Sequence, residues 1–122
     1  MNRKILVIDD EESLLDSMKL ILSRSGYTVL TASNAREALK IIKELEKEVS
    51  LIITDLALPD GFDGIDILDA VKDLETVIPV IMITAYGNVE TAVKAMQKGA
   101  YNFLTKPVNF KVLLQQAGKA IE

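Results

Sequence analysis

Three short runs of consecutive apolar residues, Ile5–Ile8, Leu51–Ile53 and Val80–Ile83, constrain the fold of this chain more than any other feature. A strand with one face in water alternates apolar and polar residues. A strand that is apolar and β-branched-rich at every position is covered on both faces, as inside a parallel sheet. Thr28–Thr31 and Asn102–Leu104 are weaker strand candidates, suited to the edges.

Amphipathic stretches lie between the runs. Leu14, Leu15, Met18, Ile21 and Leu22 recur at helical spacing across 12–25, and Gly26 stands where a helix C-cap is expected. Ala38, Leu39, Ile42 and Leu45 mark a helix over 35–47, with Asn34 and Glu37 spaced as a capping box. Ile65, Leu68, Val71 and Lys72 mark one over 65–75, following Asp63-Gly64. Val89, Ala92, Val93 and Met96 mark one over 89–98, between an expected Asn88 cap and Gly99. Phe110, Leu113, Leu114, Ala117 and Ile121 mark the last, over 109–121. These stripes read as core. The order is βα five times, which implies an α/β domain with a parallel sheet, right-handed crossovers and helices on both faces. One domain over residues 1–122 is expected, ending just after the fifth helix, where a linker would begin.

In such a sheet, ligands bind beyond the carboxyl ends of the strands. Asp9 and Asp10 follow the first strand, Asp55 the third, Thr84 the fourth, and Thr105 and Lys106 the fifth. Asp10 also fits a helix N-cap before Glu12. Asp55 precedes Leu56-Ala57-Leu58-Pro59 and so does not directly start a helix. Two like charges about 4 Å apart repel by roughly 4 kcal/mol at an effective dielectric near 20. Lys106 alone cannot balance three acids, so a divalent cation is expected. Oxygen ligands with open positions suit Mg²⁺.

Composition narrows the chemistry. The chain has no His and no Cys, which excludes Ser-His-Asp triads, thiolate and imidazole metal sites, and a phosphohistidine of its own. A net charge of −4 argues against direct contact with nucleic acid by this segment. No apolar run approaches the roughly 20 residues needed to cross a membrane. The run after Arg3-Lys4 is too short for a signal peptide, so a soluble, cytoplasmic protein is expected.

Four segments, in order along the chain, resemble the receiver domain of two-component response regulators. They are Ile5-Leu6-Val7-Ile8-Asp9-Asp10-Glu11, Asp55-Leu56-Ala57-Leu58-Pro59, Ile83-Thr84-Ala85 and Gly99-Ala100-Tyr101-Asn102-Phe103-Leu104-Thr105-Lys106-Pro107. The resemblance covers essentially the whole chain. It implies a flavodoxin-like, doubly wound (βα)5 fold with a five-stranded parallel sheet in the order 2-1-3-4-5. The implied function is a phosphorylation-activated signalling switch rather than an enzyme, assisting its own phosphorylation and dephosphorylation.

The roles follow residue by residue. Asp55 is similar to the phosphoacceptor. Asp9, Asp10, Asp55 and the Ala57 carbonyl are similar to the Mg²⁺ site, with Asp9 acting mainly through water. Lys106 matches the cation that pairs with a phosphoryl oxygen, and Thr84 the hydroxyl that binds the phosphoryl group. Phe103 matches the aromatic switch, and Lys106-Pro107 a peptide that is often cis. The implied partners are a histidine kinase or phosphotransfer protein, and a second copy through the face of the fourth helix, fifth strand and fifth helix, where Lys94, Lys98, Tyr101 and Val108 lie. The stretch from Thr84 to Val93, with Phe103 to Pro107, is most similar to receivers of σ54-dependent, NtrC-type transcriptional activators.

Three features depart from the usual pattern or are variable within it. The spacing from Pro59 to Gly64 is one residue longer than usual. The switch position is Phe rather than Tyr. Ala57 and Tyr86 stand at positions similar to those that set phosphate lifetime in the family. Two other readings compete. A haloacid-dehalogenase-like phosphatase needs a second Asp where Ala57 stands. A flavodoxin-like FMN carrier needs a hydroxyl- and Gly-rich loop where Asp9-Asp10-Glu11-Glu12 stands.

Overall fold

In the computed structural model, which describes residues 3–59, 61–85 and 88–122, five strands and five helices alternate along the chain. They are β1 (Lys4–Ile8), α1 (Glu12–Arg24), β2 (Thr28–Ala32), α2 (Ala35–Leu45), β3 (Val49–Asp55), α3 (Gly64–Lys72), β4 (Val80–Thr84), α4 (Val89–Gln97), β5 (Asn102–Thr105) and α5 (Phe110–Ile121). All four strand pairings are parallel, in the order β2-β1-β3-β4-β5. The two weaker strands are the edges, where one neighbour is missing and less apolar sequence is tolerated. This is the flavodoxin-like arrangement that the resemblance implied.

Alternate side chains of the central strands feed two cores. Leu6, Ile8, Ile52, Val80 and Met82 pack with residues of α2, α3 and α4. Ile5, Val7, Leu51, Ile53, Ile81 and Ile83 pack with α1 and α5 on the opposite face. Both faces are dry, so the strands carry no polar alternation until their last residues.

Local signals set the helix ends. Gly26 and Gly99 have φ of 99° and 100°, the left-handed conformation that closes a helix without Cβ strain. The Asn34 side chain accepts the Glu37 N–H and donates its amide to Glu37 Oε2. Three expectations change. The N-cap of α1 is Glu11, with no side-chain cap bond, so Asp10 does not cap that helix. Asn88 occupies the α4 N-cap position but also makes no side-chain cap bond; its Oδ1 instead accepts the Thr91 hydroxyl. Finally, α4 buries Ala92 and Ala95, while Val89, Val93 and Met96 face outward at 67%, 47% and 39% exposure. Two alanines let the helix lie close to the sheet, and the larger side chains are left on the outside.

Candidate functional site

Because β1, β3, β4 and β5 are sheet neighbours running the same way, their carboxyl ends meet at one edge. Asp55 is the last residue of β3 and pairs with Ile83, while Thr84 ends β4 and pairs with Thr105. The Lys106 N–H donates to the Thr84 carbonyl (2.8 Å), and the Asp9 N–H to the Ala32 carbonyl (3.1 Å). The backbone ladder therefore places Asp9, Asp55, Thr84 and Lys106 before any side-chain contact is considered.

Carboxylate oxygens of Asp9, Asp10 and Asp55 lie within 4.8 Å of one another. Asp9 and Asp55 are buried and Asp10 is exposed. Lys106 Nζ sits 2.9 Å from Asp55 Oδ2, 3.5 Å from Asp9 Oδ2 and 3.9 Å from Glu11 Oε2. The Glu11 N–H donates to Asp9 Oδ1 (2.8 Å) and the Ala57 N–H to Asp55 Oδ1 (3.2 Å).

The electrostatics follow from this crowding. Burial pushes the Asp9 carboxyl above its ordinary value of 3.8. The charges of Asp55 and Asp10 push the same way, against the Glu11 N–H and the Lys106 ammonium. Desolvation would lower the Lys106 ammonium, but its hydrogen bond and charge contact with Asp55, joined by Asp9, outweigh this and hold it above 10.5.

Asp9 Oδ2 and Thr84 Oγ1 are buried and, among the described residues, have no hydrogen-bond partner. Asp9 Oδ2 makes the longer charge contact to Lys106. An unsatisfied buried polar atom costs roughly 1–3 kcal/mol. Two at one strand edge are places where an incoming group could supply the partner. The acceptor-only oxygen of Asp9 fits a cation, and the Thr84 hydroxyl fits an anionic oxygen. A cavity of about 500 Å³ opens over Asp55, bordered among others by Ala57, Phe62, Thr84, Asn88 and Lys106. Three converging carboxylates with one shared ammonium are a donor set that could hold a hard divalent cation.

The other expected residues are placed as follows. Lys106-Pro107 is cis. Phe103 pairs with Met82 and packs, partly buried, against the core on the α2–α4 face. Thr84 is two residues beyond Met82 and so shares that face. Tyr86, and Asp60 in the longer loop, lie outside the described residues. That loop closes tightly: the Gly64 N–H donates to the Leu56 carbonyl (2.8 Å). A Cβ on Gly64 would stand 2.8 Å from the Asp55 carbonyl oxygen. Sequence reasoning missed Glu11 as a neighbour of Lys106, although its signal was a third acid directly after Asp9-Asp10. It also missed Asn88 and Thr91 as cavity walls, because both read as parts of a helix start.

An Asp cluster and a Lys at the strand ends of this sheet define a class of protein, and comparison with known proteins agrees. The chain belongs to the response regulator receiver domain family, whose model matches residues 5–117. It is thus a receiver domain of the two-component systems. Transcriptional regulatory protein GlrR of Escherichia coli K12 is 36% identical over 118 residues, covering 97% of this chain and 26% of that protein. The chain therefore spans about a quarter of the length of that relative. Among solved structures, a receiver domain protein from Clostridium thermocellum superposes with a TM-score of 0.92 at 39% identity, covering 98% of this chain and 94% of that one. The beryllofluoride-activated NtrC4 receiver domain dimer gives a TM-score of 0.88 at 44% identity, covering 97% and 95%. The NtrC-type likeness expected from the sequence therefore holds. The phosphatase reading finds no support. Among the described residues, no helix is long and apolar enough to cross a membrane.

Proposed function

We propose that this domain accepts a phosphoryl group on Asp55 from a histidine kinase or phosphotransfer protein and transmits the event to an output module. The observation that carries this reading is the setting of Asp55. It lies at a strand end, bonded to Lys106, on a cavity that also contains the Thr84 hydroxyl, which has no hydrogen-bond partner among the described residues.

The chemistry is nucleophilic displacement at phosphorus, in which an Asp55 carboxylate oxygen forms the new bond and the donor leaves with the electron pair of the old one. Asp9, Asp10 and Asp55, with the Ala57 carbonyl, would hold Mg²⁺, which supplies charge neutralisation to the transferring group. Lys106 keeps its positive charge through the physiological range because Asp55 and Asp9 hold its pKa up. It is therefore available to pair with a phosphoryl oxygen. The Ala57 N–H already points at Asp55 Oδ1. Thr84 gains a partner when the phosphoryl oxygens arrive, and its movement frees space for Phe103 on the same sheet face.

The outward side chains Val89, Val93 and Met96, with Tyr101 at 40% exposure, give the α4-β5-α5 side an apolar surface. We read it as the face that pairs with a second copy or an output domain, in a cytoplasmic, transcription-regulating protein, as the regulator names of its relatives suggest. The domain is a switch rather than an enzyme with turnover on a separate substrate.

The test is labelling with acetyl phosphate and Mg²⁺. The expected product is an acid-stable, base-labile adduct on Asp55, abolished in Asp55→Asn. Equal labelling of Asp55→Asn at the same rate would overturn the assignment. Steady turnover of a phosphate monoester would overturn the switch reading.

A further inference from the structure

A fourth acid sits beside the three strand-end carboxylates. Glu11 is the N-cap residue of α1, and its N–H holds Asp9 Oδ1. Its carboxylate, half exposed, stands 3.9 Å from Lys106 Nζ. Lys106 borders two spaces: the cavity over Asp55 and a groove of about 510 Å³ that it forms with Glu11, Leu14, Pro107, Val108 and Phe110. Among the described residues, Glu11 lines the groove and not the cavity. It therefore acts on the Asp55 site through its field and through Lys106, not by touching the reacting atoms.

Asp9, Asp10 and Asp55 bring oxygens to a common point where one cation can neutralise them. Glu11 is not part of that convergence. Its charge persists when the metal site is filled, and it opposes an incoming anion in proportion to that anion's charge. It also competes for the ammonium that would receive the phosphoryl oxygens.

We propose that Glu11 is a selectivity residue that disfavours small, highly charged phosphoryl donors at Asp55. Delivery is left to a donor carried on a protein, whose neighbouring cations can offset the same field. This rests on the reading of Asp55 as acceptor. With either small-molecule donor used below, an Asp55 carboxylate oxygen bonds phosphorus and one bond to phosphorus breaks. In acetyl phosphate the electron pair leaves on acetate. In phosphoramidate it leaves on a nitrogen that already carries its protons, as ammonia.

The experiment measures labelling rates of the native chain, Glu11→Gln and Glu11→Asp at low salt with Mg²⁺. The donors are dianionic acetyl phosphate and monoanionic phosphoramidate. The expected result is a ratio of acetyl phosphate rate to phosphoramidate rate about threefold higher in Glu11→Gln, from one screened unit charge several ångströms away. Glu11→Asp keeps the native ratio, and the difference closes at high salt as the screening length shortens. A merely structural role at the start of α1 would change both rates alike. An unchanged or lowered ratio in Glu11→Gln overturns the proposal. Failure of the native chain to take label on Asp55 from either donor would instead overturn the acceptor reading and this inference with it.

Discussion

Asp9 shows how much a single side chain depends on its surroundings. The sequence marked it as one of two adjacent acids after a strand. It did not indicate that Asp9 is fully buried while Asp10 is exposed, because that difference comes from which side of the strand end the sheet covers. Burial, with the charges of Asp55 and Asp10, raises the Asp9 pKa above 3.8. The native state therefore binds this proton more tightly than the unfolded chain does. The ionised carboxylate costs stability above its folded pKa, and that cost disappears as pH falls through that value towards 3.8. Asp9→Asn keeps an oxygen to accept the Glu11 N–H and removes the buried charge. With metal chelated, Asp9→Asn is expected to melt higher than the native chain at neutral pH, with the advantage shrinking on acidification. Thermal melts at several pH values check this, and a lower melting temperature at neutral pH would count against it.

At the scale of elements, helix positions were legible to within a few residues, because apolar periodicity and glycine C-caps are local signals. Two features were not. The α4 stripe read as core, yet of its four residues only Ala92 is buried, joined by Ala95, because periodicity reports that a helix has two faces, not which of them meets the sheet. The start of α3 is a reciprocal box, in which the Asp63 side chain accepts the Asp66 N–H and the Asp66 side chain accepts the Asp63 N–H. Two acids in an acidic loop do not resemble the usual Ser/Thr–Glu pattern. Gly64 follows this cap and lies against the backbone of Asp55 and Leu56 and the sulfur of Met82. Gly64→Ala should cost about 1–3 kcal/mol through overpacking against backbone that cannot yield. Urea unfolding measures it, and an unchanged midpoint would show that the loop relaxes freely.

For the whole molecule, sheet order determines both the site and the outward face. Strand order 2-1-3-4-5 brings Asp9, Asp55, Thr84 and Lys106 together. These residues are up to 97 positions apart in the chain, Asp9 to Lys106. The same order leaves β5 at an edge, with the apolar side of α4 beside it. Sedimentation is expected to show self-association when beryllofluoride occupies the Asp55 site. Val93→Lys, an outward position at 47% exposure, should prevent the mass increase while leaving Asp55 labelling intact. No mass change in the native chain would remove the dimer reading. The element order, the parallel sheet and the polar residues at its strand ends were legible from the residues alone, because each depends on composition over a few neighbouring positions. Which acid is buried, which face of α4 is free, and the place of Glu11 beside Lys106 emerged with the packed fold. Those depend on contacts between segments far apart in the chain, which local pattern does not encode.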